Sequence, residues 1–291
     1  MSQAVFRLNA FVAGEKGGNP AGVVLNADLL SDKQMQRIAS MVGLSETAFV
    51  SASENADFTV RFFTPTSEVD LCGHATIATF SLLAQKGIIE AGQYRQETKA
   101  GILSVKVSED FSVTMQQPAP VFGDKFDEYD IAHLLGLSVE SILATGLPIQ
   151  AVSTGLTDIF VPVVNSETLH AIQPDLDAIA RFNSETQTFG FHVFALTPNE
   201  SDISAECRNF APSIGINEEA ATGSASGALA CYLTKYQGSS GKFLFEQGRT
   251  LGSPSLISAK VVEVERKIKD VQVGGRGSKV ETIWVDLQAS A

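Results

Sequence analysis

The sequence is poor in the residues that mark several large classes of protein. It has three cysteines in 291 residues, Cys72, Cys207 and Cys231, with no CxxC pair. An odd, sparse set of this kind is typical of a reduced, cytoplasmic protein. The chain does not open on a basic segment followed by a long apolar stretch, and no apolar run approaches the roughly 20 residues needed to cross a bilayer. We therefore expect a cytoplasmic protein with no signal peptide and no membrane partner.

Positive charge is also scarce. Lysine and arginine number 21 against 33 aspartates and glutamates, which gives a net charge of −12. The densest basic stretch, 260–269, is interleaved with Glu263 and Glu265, so no patch offsets phosphate repulsion and no nucleic-acid partner is expected. GxGxxG after the first strand, GxxxxGK[ST] and HExxH are absent, and the four histidines lack ligand spacing. We therefore expect no nucleotide cofactor and no bound metal.

The length and the apolar content favour two domains. A chain of 291 residues with 44% hydrophobic residues is long and apolar enough for two globular domains, each with its own core. Pro118 and Pro120 mark a break in composition, so we predict lobes at 1–117 and 118–291. The last strand, about 282–291, is a candidate for return to the N-terminal lobe. Each half is rich in predicted strands and has one apolar helix of small residues, 75–86 in the first half and about 222–236 in the second.

An internal repeat supports this division. Arg61-Phe62-Phe63-Thr64-Pro65 recurs as Arg208-Asn209-Phe210-Ala211-Pro212. Each copy leads through a short acidic loop to a helix start made of tiny residues, 72–76 and 220–224. An alignment with one inserted residue places Cys72 opposite Ala220. We predict that the chain holds two copies of one fold, in which Arg61 and Arg208 are structural.

The two helix starts predict a binding site for a small anion. A helix N-terminus leaves backbone N–H groups unpaired and carries about half a positive charge. Glycine and alanine there let a ligand approach the backbone closely. Two such starts could hold a carboxylate in an acidic protein that lacks a basic cluster. The alternative is that small residues only let each helix pack tightly on a sheet.

Five motifs in order resemble the PhzF-like family, which is named for the phenazine-biosynthesis isomerase and shares the two-lobed fold of diaminopimelate epimerase. The resemblance implies an α+β fold with two pseudo-symmetric lobes, each a curved β-sheet or barrel around a central apolar helix, and it suggests a homodimer. The segments that carry the resemblance are Gly18-Asn19-Pro20-Ala21-Gly22, Ser45-Glu46-Thr47-Ala48-Phe49, Arg61 to Pro65, Leu71 to Thr76, and Phe210 to Ala225.

The resemblance also implies an activity and the residues for it. It implies an isomerase without metal or organic cofactor, which moves a proton on a small, carboxylate-bearing, amino acid-like substrate in a cleft between the lobes. By motif, the single proton-transferring glutamate is Glu46. The family's acidic residue five positions before the serine corresponds to Glu219, where the phenazine enzyme has aspartate, so the exact substrate stays open. The expected catalytic residues are Glu46, His74 and Glu219, and the expected substrate contacts are Asn19, Gly73, Thr222, Gly223 and Ser224.

Read without the family, the residues leave alternatives open. From the sequence alone, Glu46 is interpreted as a solvated loop carboxylate, with a half-buried acid/base as the alternative that the flanking motifs favour. Cys72 occupies a position at which diaminopimelate epimerase has one of its two cysteines, but Ala220 cannot serve as the opposing base. A thiol-dependent epimerase or racemase is therefore disfavoured, and Cys72 is interpreted as a small apolar filler. A non-catalytic small-molecule binding protein with the same fold is the third possibility.

Overall fold

The computed structural model describes residues 2–198, 200–239 and 241–287. The chain divides into two compact units. The first takes its described residues from Met1–Gln116 and Gly274–Ala291, and the second is Gln117–Val273. The chain thus returns to the first unit at Gly274, earlier than residue 282.

The first unit contains eight strands and two helices before the chain enters the second unit, counted over the described residues. They are β1 (Ser2–Ala10), β2 (Asn19–Val24), α1 (Asp32–Val42), β3 (Thr47–Ser51), β4 (Phe58–Phe63), β5 (Glu68–Val69), α2 (Gly73–Gln85), β6 (Gly92–Thr98), β7 (Gly101–Val107) and β8 (Val113–Gln116).

The second unit holds more helix, and the chain then ends on a strand of the first unit. The elements of this stretch are β9 (Val121–Lys125), α3 (Glu128–Leu135), α4 (Glu140–Leu143), β10 (Gln150–Ser153), β11 (Thr157–Val163), α5 (Ser166–Ala171), α6 (Leu176–Thr186), β12 (Gly190–Leu196), β13 (Ala205–Ala211), β14 (Ile216–Glu219), α7 (Gly223–Gln237), β15 (Gly241–Gln247), β16 (Ser255–Val264), β17 (Lys267–Gly275) and β18 (Glu281–Asp286).

Strands of mixed direction surround a buried helix in the first unit. β1 pairs antiparallel with both β2 and β18, β2 runs parallel to β3, and β3 is antiparallel to β4. Every residue of α2 from His74 to Ala84 is buried, and the helix packs on β1, β2, β3, β7 and β8. Its internal hydroxyls are satisfied, because Thr76 and Thr79 donate to carbonyls four residues earlier at 2.8 and 2.7 Å.

The second unit repeats this arrangement around α7. β10 is antiparallel to β9 and β11, β11 is parallel to β12, and β13 pairs with β12, β14 and β15. Residues 225–234 of α7 are all buried. A further apolar cluster lies against α3 to α6 and includes Ile131, Leu135, Ile179 and Phe191. The predicted α+β class, with a sheet around a central apolar helix in each lobe, is confirmed.

The repeated arginine makes the same contacts in both units. Arg61 donates Nε and Nη2 to the two carboxylate oxygens of Glu68 at 2.7 and 2.9 Å, and Arg208 binds Glu218 in the same fork at 2.9 and 2.9 Å. Each guanidinium also lies over the phenylalanine two residues later, at 5.2 Å in the first unit and 4.8 Å in the second. Both arginines therefore tie a strand to the short strand that follows it, β4 to β5 in the first unit and β13 to β14 in the second.

The structure corrects the alignment of the two helix starts. Cys72 precedes α2 and Thr222 precedes α7 as the N-cap residue, and each carbonyl accepts a hydroxyl hydrogen bond from four residues later. Cys72 therefore corresponds to Thr222, and the alignment with Ala220 is wrong. Arginine and glutamate are 7 residues apart in the first copy and 10 in the second. The second copy thus has three additional residues, around the short 3₁₀ turn Pro212–Ile214, where a single insertion was assumed.

Candidate active site

A glycine-rich turn fixes the position of Asn19. Gly18 has φ +82°, and a Cβ there would lie 2.6 Å from the carbonyl oxygen of Ala10. Only glycine fits this conformation and this approach. Asn19 then opens β2, directly across from Ala10 in β1, and is buried. The structure thus holds the predicted amide in the core of the first unit.

Glu46 is held at the start of β3 by its backbone. Its carbonyl accepts a hydrogen bond from the Gly22 N–H at 3.0 Å, where β2 passes alongside. A Cβ on Gly22 would lie 2.9 Å from Thr47 Oγ1, so the close approach of these two strands requires glycine. The carboxylate lies at the edge of the core, with a side chain that is 17% exposed. Glu46 is therefore half-buried, as expected for an acid/base and not for a solvated loop carboxylate.

His74 brings together three side chains from two parts of the chain. Its Nε2 lies 3.2 Å from Glu46 Oε2 and 3.3 Å from Ser45 Oγ, while Nδ1 lies 3.4 Å from Cys72 Sγ. The Glu46 contact is within ion-pair distance, but Oε2 has no hydrogen-bond partner of good geometry among the described residues. The predicted pair Glu46 and His74 is therefore in contact, and Ser45 and Cys72 join it.

Sequence reasoning gave no role to Ser45 and interpreted Cys72 as filler. Both lie next to predicted residues, Ser45 beside Glu46 and Cys72 two positions before His74. This closeness in sequence was the only indication that Ser45 and Cys72 belong to the site. The contact itself depends on the start of β3 meeting the start of α2, which local spacing does not reveal.

The start of α2 lies at this cluster and is open to a ligand. The N-cap residue Cys72 makes no side-chain capping hydrogen bond, and the first turn of the helix carries no acidic residue. A Cβ on Gly73 would have its nearest contact with Met115 Sδ at 3.8 Å. The unpaired N–H groups and the positive end of the helix dipole favour an anion at this place.

A second cluster surrounds the start of α7 in the second unit. Thr222 Oγ1 donates to Glu219 Oε2 at 2.9 Å. Gln247, at the end of β15, donates to the Glu219 carbonyl at 2.7 Å and to Thr222 Oγ1 at 3.0 Å, and accepts from the Thr222 N–H at 3.2 Å. The predicted residues Glu219 and Thr222 are thus joined, and Gln247 is a member that sequence reasoning missed. Gln247 is fully buried at the end of β15, and the sequence gives no sign of that burial.

Gly223 and Ser224 form the first turn of α7. Gly223 is buried, and the Ser224 carbonyl accepts a hydrogen bond from Thr154 Oγ1 at 3.0 Å. These residues belong to the second unit, whereas Asn19, Glu46, Gly73 and His74 belong to the first. Their participation in one site with Glu46 stays a prediction.

Asp158 adds an unusual carboxyl to the second unit. Burial, with a smaller contribution from the negative charge of Glu219, raises its pKa from 3.8 to about 7. The folded state therefore holds the Asp158 proton at pH values where the unfolded chain has released it. The contribution of Asp158 to the free energy of unfolding is therefore fully present below about pH 4. It decreases by about 1.4 kcal/mol per pH unit as the pH rises toward 7.

We expect Asp158→Asn to remove this dependence. Thermal unfolding of the parent and the variant between pH 4 and pH 7.5 measures it, and the difference between the two proteins isolates Asp158 from other carboxylates. The parent should lose stability relative to the variant as pH rises. A constant difference across this range would show that Asp158 titrates normally.

No helix in the described part of the chain combines the length and apolar character needed to span a membrane.

Comparison with known proteins places this arrangement in one family. The model of the PhzC-PhzF family, described as phenazine biosynthesis-like protein, matches residues 8–282. An uncharacterized isomerase of Clostridium acetobutylicum is 38% identical over 283 residues, covering 93% of this chain and 94% of the relative. The trans-2,3-dihydro-3-hydroxyanthranilate isomerase of Pseudomonas fluorescens is 30% identical over 281 residues, covering 93% and 94%.

Solved structures agree with the sequence matches. The crystal structure of a Bacillus anthracis phenazine biosynthesis protein of the PhzF family is 32% identical and superposes with a TM-score of 0.90, covering 99% of this chain and 100% of that one. A hydroxyproline epimerase from Agrobacterium vitis, 12% identical, shares the fold alone, with a TM-score of 0.66 over 99% of this chain and 93% of its own. The chain belongs to the PhzC-PhzF phenazine biosynthesis-like family and is an isomerase.

Proposed function

We propose that the protein isomerises a small, carboxylate-bearing, amino acid-like substrate by moving one proton with Glu46. The carboxylate accepts a proton from one carbon of the substrate and returns it to another. Because hydrogen is only relocated within one molecule, the reaction is redox-neutral and requires no electron acceptor. The observation that supports this most is the half-buried Glu46 carboxylate held 3.2 Å from His74 Nε2 at an uncapped helix start.

His74 lies against one side of the glutamate in this proposal. With a proton on Nε2, the ring donates to Ser45 Oγ at 3.3 Å and lies 3.2 Å from Glu46 Oε2 without an aligned hydrogen bond, and Nδ1 accepts from the Cys72 thiol at 3.4 Å. The buried ring is thereby fixed at both nitrogens. Glu46 then keeps Oε1 for the substrate while Oε2 faces the ring.

The substrate class follows from the anion site and from one relative. The start of α2 offers backbone N–H groups to a carboxylate close to Glu46. The Pseudomonas fluorescens relative is named for trans-2,3-dihydro-3-hydroxyanthranilate, a ring that bears a carboxylate and an amine. At 30% identity, and with glutamate at position 219, we propose the same class of substrate and leave the individual compound to experiment.

Turnover of a compound panel tests the proposal. The full chain is incubated in D₂O with trans-2,3-dihydro-3-hydroxyanthranilate and with related cyclic and linear amino acids, and products are followed by mass spectrometry and NMR. The proposal requires an isomeric product of unchanged mass apart from deuterium. A product that is oxidised, reduced or hydrolysed would contradict it.

One contact favours a thiol-dependent epimerase as the second candidate, the 3.4 Å approach of Cys72 Sγ to His74 Nδ1. A neighbouring imidazole can activate a thiol. However, the corresponding residue at the other helix start is Thr222, whose hydroxyl is committed to Glu219. An epimerase with two opposed thiols would therefore lack one of them.

The family resemblance also leads us to expect a homodimer. Several large apolar side chains of the described residues are exposed in the single chain, among them Trp284 and Val121. Light scattering at micromolar concentration should give twice the 30.9 kDa chain mass. A mass equal to that of one chain would refute the expectation.

A further inference from the structure

The cluster around His74 presents three different metal-ligating groups. Glu46 Oε2, Cys72 Sγ and a ring nitrogen of His74 all lie within 4.8 Å of one another. His74 Nε2 is 3.2 Å from the carboxylate oxygen and 4.0 Å from the sulfur. Cys72 and His74 are buried, and Glu46 is half-buried. Among the described residues this is the one group of three such side chains.

We infer that these three side chains bind an exchangeable Zn²⁺ ion, which inhibits the isomerase. Zinc lies about 2.3 Å from sulfur and about 2.0–2.2 Å from nitrogen and oxygen, so tetrahedral ligands are roughly 3.4–3.6 Å apart. The distances from His74 Nε2 to the other two ligand atoms, 3.2 and 4.0 Å, bracket that spacing, and all three atoms lie within 4.8 Å of one another, so side-chain shifts of up to about 1 Å complete the geometry. A fourth position remains for water, since three protein ligands are the pattern of open zinc sites.

The donor set selects the metal. A thiolate and an imidazole favour Zn²⁺ over Mg²⁺ and Ca²⁺, which prefer oxygen ligands. The sequence predicted no metal because the histidines lack ligand spacing, and that reasoning could not include Glu46, which is distant in sequence from Cys72 and His74. The ion inferred here is an exchangeable inhibitor, and the reaction does not use it.

Zinc and proton transfer compete for the same side chains. An ion on Glu46 Oε2 withdraws electron density from the carboxylate and so lowers the basicity of Oε1, which accepts the substrate proton. An ion on His74 Nε2 displaces the N–H that faces the carboxylate. Inhibition of the isomerase by Zn²⁺ rests on the proposed function, whereas binding of Zn²⁺ does not.

The binding test uses the full chain after treatment with a chelator. Zn²⁺ is titrated in competition with a chromophoric chelator, and Mg²⁺ and Ca²⁺ are titrated in parallel. We expect one Zn²⁺ per chain and no competition from the other two ions. Co²⁺ in place of Zn²⁺ should give a thiolate-to-metal charge-transfer band that disappears in Cys72→Ala.

Variants locate the ion. Cys72→Ala and His74→Gln should each weaken Zn²⁺ binding by more than the roughly 10–100-fold that loss of an outer-shell partner costs. Cys231→Ala and His170→Gln, which remove a thiol and an imidazole elsewhere, should bind as the parent does, and circular dichroism confirms folding of all four. Equal affinity in parent and Cys72→Ala, or no binding at one ion per chain, would overturn the inference.

Inhibition of turnover by Zn²⁺ is measured in a separate experiment. With a verified substrate, Zn²⁺ should abolish turnover over the same concentrations at which it binds, and EDTA should restore it. If the protein binds Zn²⁺ but turns over no substrate, the zinc site is supported and the proposed function is contradicted. If the Zn²⁺-bound protein turns over substrate at the full rate, the proposed inhibition is contradicted.

Discussion

Glu46→Gln is expected to lower kcat by about 10²–10⁴-fold on a verified substrate, because the amide keeps the shape of the carboxylate and removes its basicity. This corresponds to roughly 3–5 kcal/mol of activation free energy. The amide can occupy the place of the carboxylate, 3.2 Å from His74 Nε2, so the local contact survives the change. Substrate affinity should therefore change far less than kcat, and steady-state kinetics with a binding measurement separate the two.

Cys72→Ala is the matched comparison at the same cluster. It removes the thiol contact to His74 Nδ1 and leaves Glu46 unchanged. Loss of one weak hydrogen bond costs about 1 kcal/mol, so activity should fall by less than about tenfold. The reverse order, with Cys72→Ala nearly inactive and Glu46→Gln active, would identify a thiol-dependent enzyme. A parent without turnover and variants altered only in ligand affinity would identify a binding protein.

Deuterium content of the product refines the same experiment. If Glu46 returns the proton that it removed, a reaction in D₂O should leave part of the product unlabelled. A half-buried carboxylate exchanges its proton with solvent more slowly than an exposed one, which makes partial retention measurable. Complete labelling of the product at the new C–H position would show that the proton is exchanged before it is returned.

The elements that sequence reasoning found are those with strong apolar patterns. The helices α2 and α7 were predicted to within a few residues, because their side chains pack into a core. β6 has no such pattern, since Gly92–Thr98 is largely polar and Gln96 is its one fully buried residue. Its backbone is held by pairing with β7, and such pairing leaves little mark on the sequence.

The same distinction applies to the site. The motif around Glu46 and the Cys72-Gly73-His74 segment were recognisable because each is local. Which residue corresponds to which between the two repeats was misjudged, because three additional residues in the second copy lie where no apolar pattern constrains the count. A contact such as that of Gln247 with Glu219 and Thr222 joins residues far apart in sequence, and a single sequence cannot supply it.

The repeated arginines allow a stability prediction with an internal control. Arg208→Met is expected to destabilise the second unit by about 3–5 kcal/mol, the usual cost of breaking a buried ion pair from one side. The Arg208 side chain is 8% exposed, and it also donates to the carbonyls of Leu169 and Ile172 at 3.1 and 3.0 Å. Methionine fills much of the volume but leaves Glu218 and both carbonyls without these donors.

Arg61→Met should cost the first unit only about 1–2 kcal/mol. The Arg61 side chain is 26% exposed, and its partner Glu68 keeps a second cation, since Lys99 Nζ lies 2.6 Å from Glu68 Oε2. Because the two units need not unfold together, amide hydrogen exchange resolved by segment is the appropriate measurement. Protection should fall most in β13 and β14 for Arg208→Met, and only modestly in β4 and β5 for Arg61→Met.

A double variant separates the buried charge from the lost packing. In Arg208→Met/Glu218→Gln the carboxylate that lost its partner is neutral, so part of the stability lost in the single variant should return. Thr250 Oγ1, which donates to Glu218 Oε1 at 2.7 Å, can still donate to the amide oxygen. If Arg61→Met and Arg208→Met were equally destabilising, or if the double variant were no more stable than Arg208→Met, burial of the ion pair would not be what distinguishes the two copies.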